Sequence, residues 1–422
     1  MKPVGWRWPL ALSACVVVAQ VFPVPPLVEV VSGAAPADLR LVYPLTHVVL
    51  APLTLLADWL NGSPARELTG FLAWLLVFWS AARVLRWRRR AEGGIGARVV
   101  GELRAALLLV LVLAAFAAWG VYAPRPIARL VADDPDALVY DVHSHTEASH
   151  DGRRGFDAAA NAAWHERAGF DAAFVTDHNT GVAIRAWLAA AAPGAPRLLP
   201  GIELSLSGLH LLALGTAAEI PNERYRGSWD ATGALLRALA AGAPPPGDSV
   251  GVGRPFLVAS LPEYWRYHRG PGIDSLVAWG VGGFELWTTS PRAMDFPSDL
   301  RAGIIARSRR AGLALFGATD MHGLGSAASV WNVETLPGWR AMDTRALGAA
   351  LLARWRSGGA DANRVVVRRR WLPARPLEAG VAVPVNLALL LRTASPAHAL
   401  TLLCWIWIPA LLSSRRRAPR SP

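Results

Sequence analysis

Asp141-Val142-His143-Ser144-His145-Thr146, with Ser149-His150-Asp151-Gly152 close behind, is the stretch on which the reading of this chain turns. Five groups that bind metals well, Asp141, His143, His145, His150 and Asp151, fall within eleven residues. Side chains alternate faces along a strand, so His143 and His145 point to the same side. Two imidazoles at a strand end, followed by a glycine-containing turn that carries a carboxylate, make half of a metal site.

The other half is expected from chain-distant strand ends. Leu138–Val142 reads as a strand, and Asp157–Ala168 as a helix with Asp157 as N-cap and Gly169 as its stop. Further strands are expected at Phe174–Thr176, Leu198–Ile202, Leu211–Leu214, Phe256–Ala259, Gly283–Leu286, Leu313–Gly317 and Val365–Arg368. Strands alternating with helices argue for an α/β fold with a largely parallel sheet or barrel. Asp177 and His178 follow one strand, Glu203 another, and Asp320 and His322 a third. In β/α barrels the site is built from such ends.

Mixed imidazole and carboxylate ligands suit Zn, Mn or Fe better than Ca or Mg. Two such ions about 3.5–4 Å apart would hold a hydroxide nucleophile and clamp an oxyanion, with no serine or cysteine nucleophile required. Asp177 and Asp141 are candidates to orient ligand imidazoles. Either Asp151 or His150 can be the ligand from the first motif. Glu285 reads as structural or substrate-facing, and Arg153 and Arg154 as possible anion contacts.

Taken together, Asp141-x-His143-x-His145-Thr146…Ser149-His150-Asp151-Gly152, Thr176-Asp177-His178-Asn179, Gly201-Ile202-Glu203 and Thr319-Asp320-x-His322-Gly323 resemble the polymerase and histidinol phosphatase (PHP) superfamily over roughly residues 138–370. The resemblance implies a distorted (β/α)7 barrel and metal-dependent phosphoesterase activity. It implies one metal on His143, His145, Glu203 and Asp320, and a second on Asp151, His178 and His322, which favours Asp151 over His150. A third would take Glu203, His210 and a histidine before proline. Here Ser260-Leu261-Pro262 stands instead, so two well-held metals and an incomplete third are expected, with His268 as a remote substitute. Asp177 and His210 are the expected catalytic residues. Metallohydrolysis of carboxylic or carbamate esters, and non-catalytic metal binding, are the alternatives.

The rest of the chain reads as membrane protein. Hydrophobic residues make up 53% of the 422, and mean hydropathy is +0.29. The net charge of +12 comes with arginines clustered beside apolar segments (Arg83–Arg90 and Arg415–Arg420) and no aromatic-interleaved basic patch, so a lipid rather than a nucleic-acid partner is expected. Cys15 and Cys404 lie in apolar segments and form no metal or disulfide framework.

Candidate lipid-contacting stretches are Leu10–Val31, Leu41–Leu60, Leu68–Leu85, Leu103–Tyr122 and Pro396–Leu412, with Glu378–Leu391 interfacial or re-entrant. About 20 apolar residues are needed to cross. Lys2, Arg7 and the Arg83–Arg104 loop on the cytoplasmic side require an even number of spans between them, so Leu41–Leu60 is read as non-spanning. The expected organisation is a membrane region at 1–122 with about three spans, a linker at 123–137, a metallohydrolase domain at 138–370, and a membrane segment with basic tail at 371–422. The domain would be extracytoplasmic on a bacterial-type inner membrane and act on a small phosphate ester. His47 and His398 read as interfacial, and Trp74, Trp79, Trp405 and Trp407 as membrane anchors.

Overall fold

The structure is a computed structural model that describes residues 6–89, 95–190, 196–206, 208–225, 227–243, 248–264, 270–290, 293–325 and 327–415. The chain forms two compact units. One comprises Leu27–Val42 and Ala128–Arg368, and the other Met1–Pro26, Tyr43–Ile127 and Arg369–Pro422.

Among the described residues the first unit carries twelve strands: β1 (Leu27–Glu29), β2 (Leu39–Val42), β3 (Arg129–Ala132), β4 (Ala137–Ser144), β5 (Ala172–Val175), β6 (Arg197–Leu206), β7 (Leu209–Leu214), β8 (Phe256–Ser260), β9 (Val281–Thr288), β10 (Ala314–Ala318), β11 (Val330–Thr335) and β12 (Arg364–Arg368). Ten form one sheet in the order β1-β12-β11-β4-β5-β6-β7-β8-β9-β10, while β2 pairs with β3. The sheet curls so that the chain leaving β10 reaches β4. The amide of Asp320 donates to the His143 carbonyl (2.9 Å), and that of His145 to the Met321 carbonyl (2.8 Å).

The sheet is mixed, not largely parallel. Pairs β4–β5, β5–β6, β8–β9 and β9–β10 are parallel, but β6–β7–β8 is an antiparallel meander, and β11 pairs antiparallel with both β4 and β12. The cause is local: only two residues separate β6 from β7, and a connection that short joins only antiparallel strands. A mixed α/β fold is thus present without seven regular β/α repeats. β1, β2, β3 and β11 are additions to the expected strands. Leu27–Val42, which the sequence alone leaves in the membrane region, joins this unit because β1 pairs with β12 and Asp38 accepts two hydrogen bonds from Arg364 (2.8 and 2.9 Å).

The expected helix forms at Ala158–Ala168. Asp157 caps it by accepting from the Ala160 amide (2.8 Å). Gly169 ends it at φ +90°, where a Cβ would stand 2.3 Å from the Leu130 carbonyl oxygen, so only glycine fits. The core is aromatic. Trp355 packs against Tyr140, Phe174, Phe256 and Phe316, and its Nε1 donates to Tyr140 Oη and Glu334 Oε2 (3.1 Å each).

In the second unit, three helices among the described residues are long and apolar enough to cross a membrane: Ala65–Arg86, Arg98–Tyr122 and Pro396–Ser413. Arg7–Val21 and Ala379–Thr393 are shorter apolar helices. The N-terminal helix stops short of the expected Leu10–Val31 because Pro23, Pro25 and Pro26 follow it. Leu41–Leu60, read as non-spanning, forms the end of strand β2 followed by short helices Leu45–Val49 and Ala51–Asn61.

His47 and His398 do not face solvent or lipid but lie inside the protein. Both are fully buried, with His47 Nδ1 2.9 Å from His398 Nε2 and His47 Nε2 3.2 Å from Asp58 Oδ2. Arg125 closes the chain of contacts on Asp58. Trp74 and Trp405 use their indole N–H on the Gly380 and Val49 carbonyls.

Candidate metal centre

Strands β4, β6 and β7, with the turns after β4, β5 and β10, deliver eight side chains able to bind metal to one place. His143 Nε2 lies 3.0 Å from His145 Nε2, 3.1 Å from Glu203 Oε2 and 3.4 Å from Asp320 Oδ1. His145 Nε2 lies 3.2 Å from Glu203 and 3.3 Å from Asp320. Asp151 Oδ2 sits between His178 Nε2 (3.3 Å) and His322 Nε2 (3.2 Å). Glu203 also reaches His178 Nδ1 (3.3 Å) and His210 Nδ1. The ligand atoms fall into three overlapping groups: His143, His145 and Asp320; His145, Asp151, His178 and His322; and His178, Glu203 and His210.

All eight expected metal residues therefore meet. The grouping differs from the expectation in that His145 belongs to two groups and His178 joins Glu203 and His210. Of the pair left open in the first motif, Asp151 enters a group; His150 stands exposed at the cavity edge. His268 lies outside the described residues.

The side chains that hold this geometry are mostly buried. Asp320 has φ +51°, an unusual conformation for a non-glycine residue. It is held there by its amide bond to the His143 carbonyl and by its own carbonyl, which lies 2.8 Å from His322 Nδ1. Asp141 does not orient a ligand ring. It accepts from the amides of His143 (3.3 Å) and Thr319 (3.1 Å), from the Thr319 hydroxyl and from His165 Nε2 (3.0 Å). It thus ties β4 to the turn that carries Asp320.

Asp177, expected to be catalytic, does not line the cavity. It accepts from the Thr146 amide (2.6 Å) and hydroxyl (2.8 Å) and from Ser149 Oγ (3.2 Å), and Ser149 Oγ lies 2.9 Å from His145 Nδ1. The adjacency of Asp177 to His178 suggested contact with that ring, but neighbours in an extended segment point opposite ways. Glu285, on β9, reaches His143 Nδ1 at 2.8 Å, and nothing local in its sequence signals that.

Within the cluster, burial and opposite charge act against each other. Burial opposes ionisation of Glu203, but His210, His143 and His178 outweigh it and hold the carboxyl well below its ordinary range. Burial also disfavours charge on His322, yet Asp151 and Asp320 push it up to about 9. Desolvation lowers His178.

The donor set fits divalent ions. Each imidazole Nε2 holds at most one proton, while His143 and His145 turn theirs toward each other and toward two carboxylates at once. Hydrogen bonds satisfy only part of that arrangement, and a cation among the lone pairs satisfies all of it. The cavity above the cluster holds about 440 Å³ and is lined also by Asn179, Ser205, Asn222 and Glu223. No Arg or Lys lines it among the described residues. Arg153 instead donates to the Gly323 carbonyl (3.2 Å).

No family model and no curated protein matches the sequence. Among solved structures, the chain is similar to PsfC from Pseudomonas syringae PB-5123 (TM-score 0.36, 16% identity, 59% of this chain and 96% of that one). It is also similar to a protein assigned as a metal-dependent phosphoesterase from Bifidobacterium adolescentis (TM-score 0.29, 16% identity, 43% and 87%). A third is an amidohydrolase from Chromobacterium violaceum with bound sulfate and no metal (TM-score 0.28, 17% identity, 49% and 96%). These likenesses are distant, and the geometry of the centre stands without them.

Proposed function

We propose that this chain is a membrane-anchored metal-dependent phosphoesterase of the PHP type, acting on a small phosphate mono- or diester. The observation that carries the reading is the convergence of five imidazoles and three carboxylates, from chain-distant strand ends, beneath one cavity. Zn, Mn or Fe ions held by His143, His145, Glu203 and Asp320, and by Asp151, His178 and His322, would supply Lewis acidity and a nucleophile from water at neutral pH. Glu203, within reach of four of the rings, joins the groups. His210 completes the third group with His178 and Glu203. His150, exposed at the edge, is among the described residues the cavity imidazole outside all three groups, and its role is to return a proton to the leaving oxygen.

Full-length protein loaded with Mn or Zn should hydrolyse an aryl phosphate, and His143→Ala should abolish this. Turnover that survives loss of both His143 and His145 would rule the reading out. The lack of a lining Arg or Lys among the described residues favours a second reading, hydrolysis of a carboxylic or carbamate ester by the same centre. Relative rates on matched phosphate and carboxylate esters separate the two.

For topology, the arginines at 83–104 are assigned to the cytoplasm of a bacterial-type inner membrane, Arg98–Tyr122 to an outward crossing and Pro396–Ser413 to the return. An alkaline phosphatase fused after Tyr122 should then be active, and one fused after Arg90 inactive. The reverse pattern overturns the orientation.

A further inference from the structure

We infer that Glu285 and Ser260 are a positioning pair for this centre, fixing His143 in the tautomer whose Nε2 is free to ligate. The inference rests on the reading of the cluster as a metal centre.

Glu285 lies on β9 and Ser260 ends β8, and both are fully buried. Glu285 Oε1 stands 2.8 Å from His143 Nδ1, and Oε2 accepts from the Ser260 hydroxyl. An ionised carboxylate can only accept, and each oxygen here has its donor. Glu285 does not line the cavity, so it meets the centre only through His143.

A neutral imidazole carries one proton. With a carboxylate at Nδ1 that nitrogen carries a proton, which leaves Nε2 as the atom that would ligate a cation held among His145, Glu203 and Asp320. Without Glu285 the proton can move to Nε2, where Glu203 Oε2 at 3.1 Å and Asp320 Oδ1 at 3.4 Å stand ready to accept it. A protonated Nε2 cannot bind a cation. Ser260 adds the second donor that a buried carboxylate needs, and holds Glu285 in the rotamer that meets His143. His145 is served by the same logic at one remove, with Nδ1 on Ser149 and Ser149 on Asp177.

The test uses full-length protein in detergent micelles, stripped with a chelator and titrated with Zn²⁺ against a chromophoric chelator, alongside metal-free thermal unfolding. Glu285→Gln should weaken Zn²⁺ binding roughly tenfold to hundredfold with little change in the metal-free Tm. Ser260→Ala should weaken it less, and should add nothing in the Glu285→Gln background. Unchanged affinity in Glu285→Gln, or a Ser260→Ala effect that adds in full, overturns the inference while leaving the metal centre intact. A wild-type protein that binds no Zn²⁺, Mn²⁺ or Fe²⁺ overturns both.

Discussion

His143 Nε2 and His145 Nε2 face each other at 3.0 Å, although the two rings belong to one strand end and nothing in the local backbone requires them to meet. The i, i+2 spacing puts both on one face. Glu203 and Asp320, within 3.4 Å of both nitrogens, define the point on which they converge. The pair is therefore expected to act as a unit: His145→Ala, which also removes a donor from the group of Asp151, His178 and His322, should lose at least as much bound metal as His143→Ala, and the double variant little more than His145→Ala alone. Metal analysis of dialysed protein checks this, and independent, additive losses would contradict it.

Leaving-group protonation by His150 predicts a split by substrate. His150→Gln should slow hydrolysis of an alkyl phosphate by about 100-fold, the range of general acid catalysis. An aryl phosphate, whose leaving group needs no proton, should react nearly as fast as with wild type. Equal slowing of both substrates would remove His150 from that role.

Glu334 gives a pH dependence remote from the centre. Burial raises its carboxyl from 4.5 to about 7, against the pull of the Trp355 N–H and Arg354. Between pH 4.5 and 7 the folded chain holds a proton that the unfolded chain lacks. Stability contributed by this group is therefore present below pH 4.5 and lost as pH rises to 7. Over about 2.5 pH units at about 1.4 kcal/mol each, the loss is about 3.5 kcal/mol. Glu334→Gln should gain on wild type by up to that amount between pH 5 and pH 8, read as the difference in thermal or denaturant unfolding. A difference that does not change with pH would refute it.

Asp58 anchors the buried cluster of the helical unit, in contact with both His47 and Arg125. Asp58→Ala leaves Arg125 as an uncompensated buried charge, at a cost of about 3–5 kcal/mol. Changing Arg125 to Met together with Asp58→Ala should recover much of the lost Tm in detergent, since an ion pair replaced by apolar groups is often neutral. No recovery in the double variant would show that the pair itself is required.

Short-range features were legible in the sequence because local rules govern them. Asp157 and Gly169 bound their helix whatever surrounds it, and the strand ending in His143-x-His145 needs only alternation to present both rings. Which side chains could meet was legible in part, since His178, Asp320 and His322 sit just after strands and Glu203 and His210 within them.

Other features depend on pairs far apart in the chain. β11 escaped notice because its place is set by pairing with β4 and β12, and Leu27–Glu29 became a strand only against β12. Asp141 and Asp177 were placed next to the rings beside them in sequence, but found better-fitting donors in Thr319, His165, Thr146 and Ser149. Glu285 lies 142 residues from the ring it meets, and His47 lies 351 from His398. By itself the sequence determined which residues can bind a cation and which segments can enter a bilayer, because those follow from side-chain chemistry and local periodicity. Which carboxylate meets which imidazole was decided only by the curl of the sheet, because a buried hydrogen-bonding group takes whatever partner the tertiary packing brings within about 3 Å.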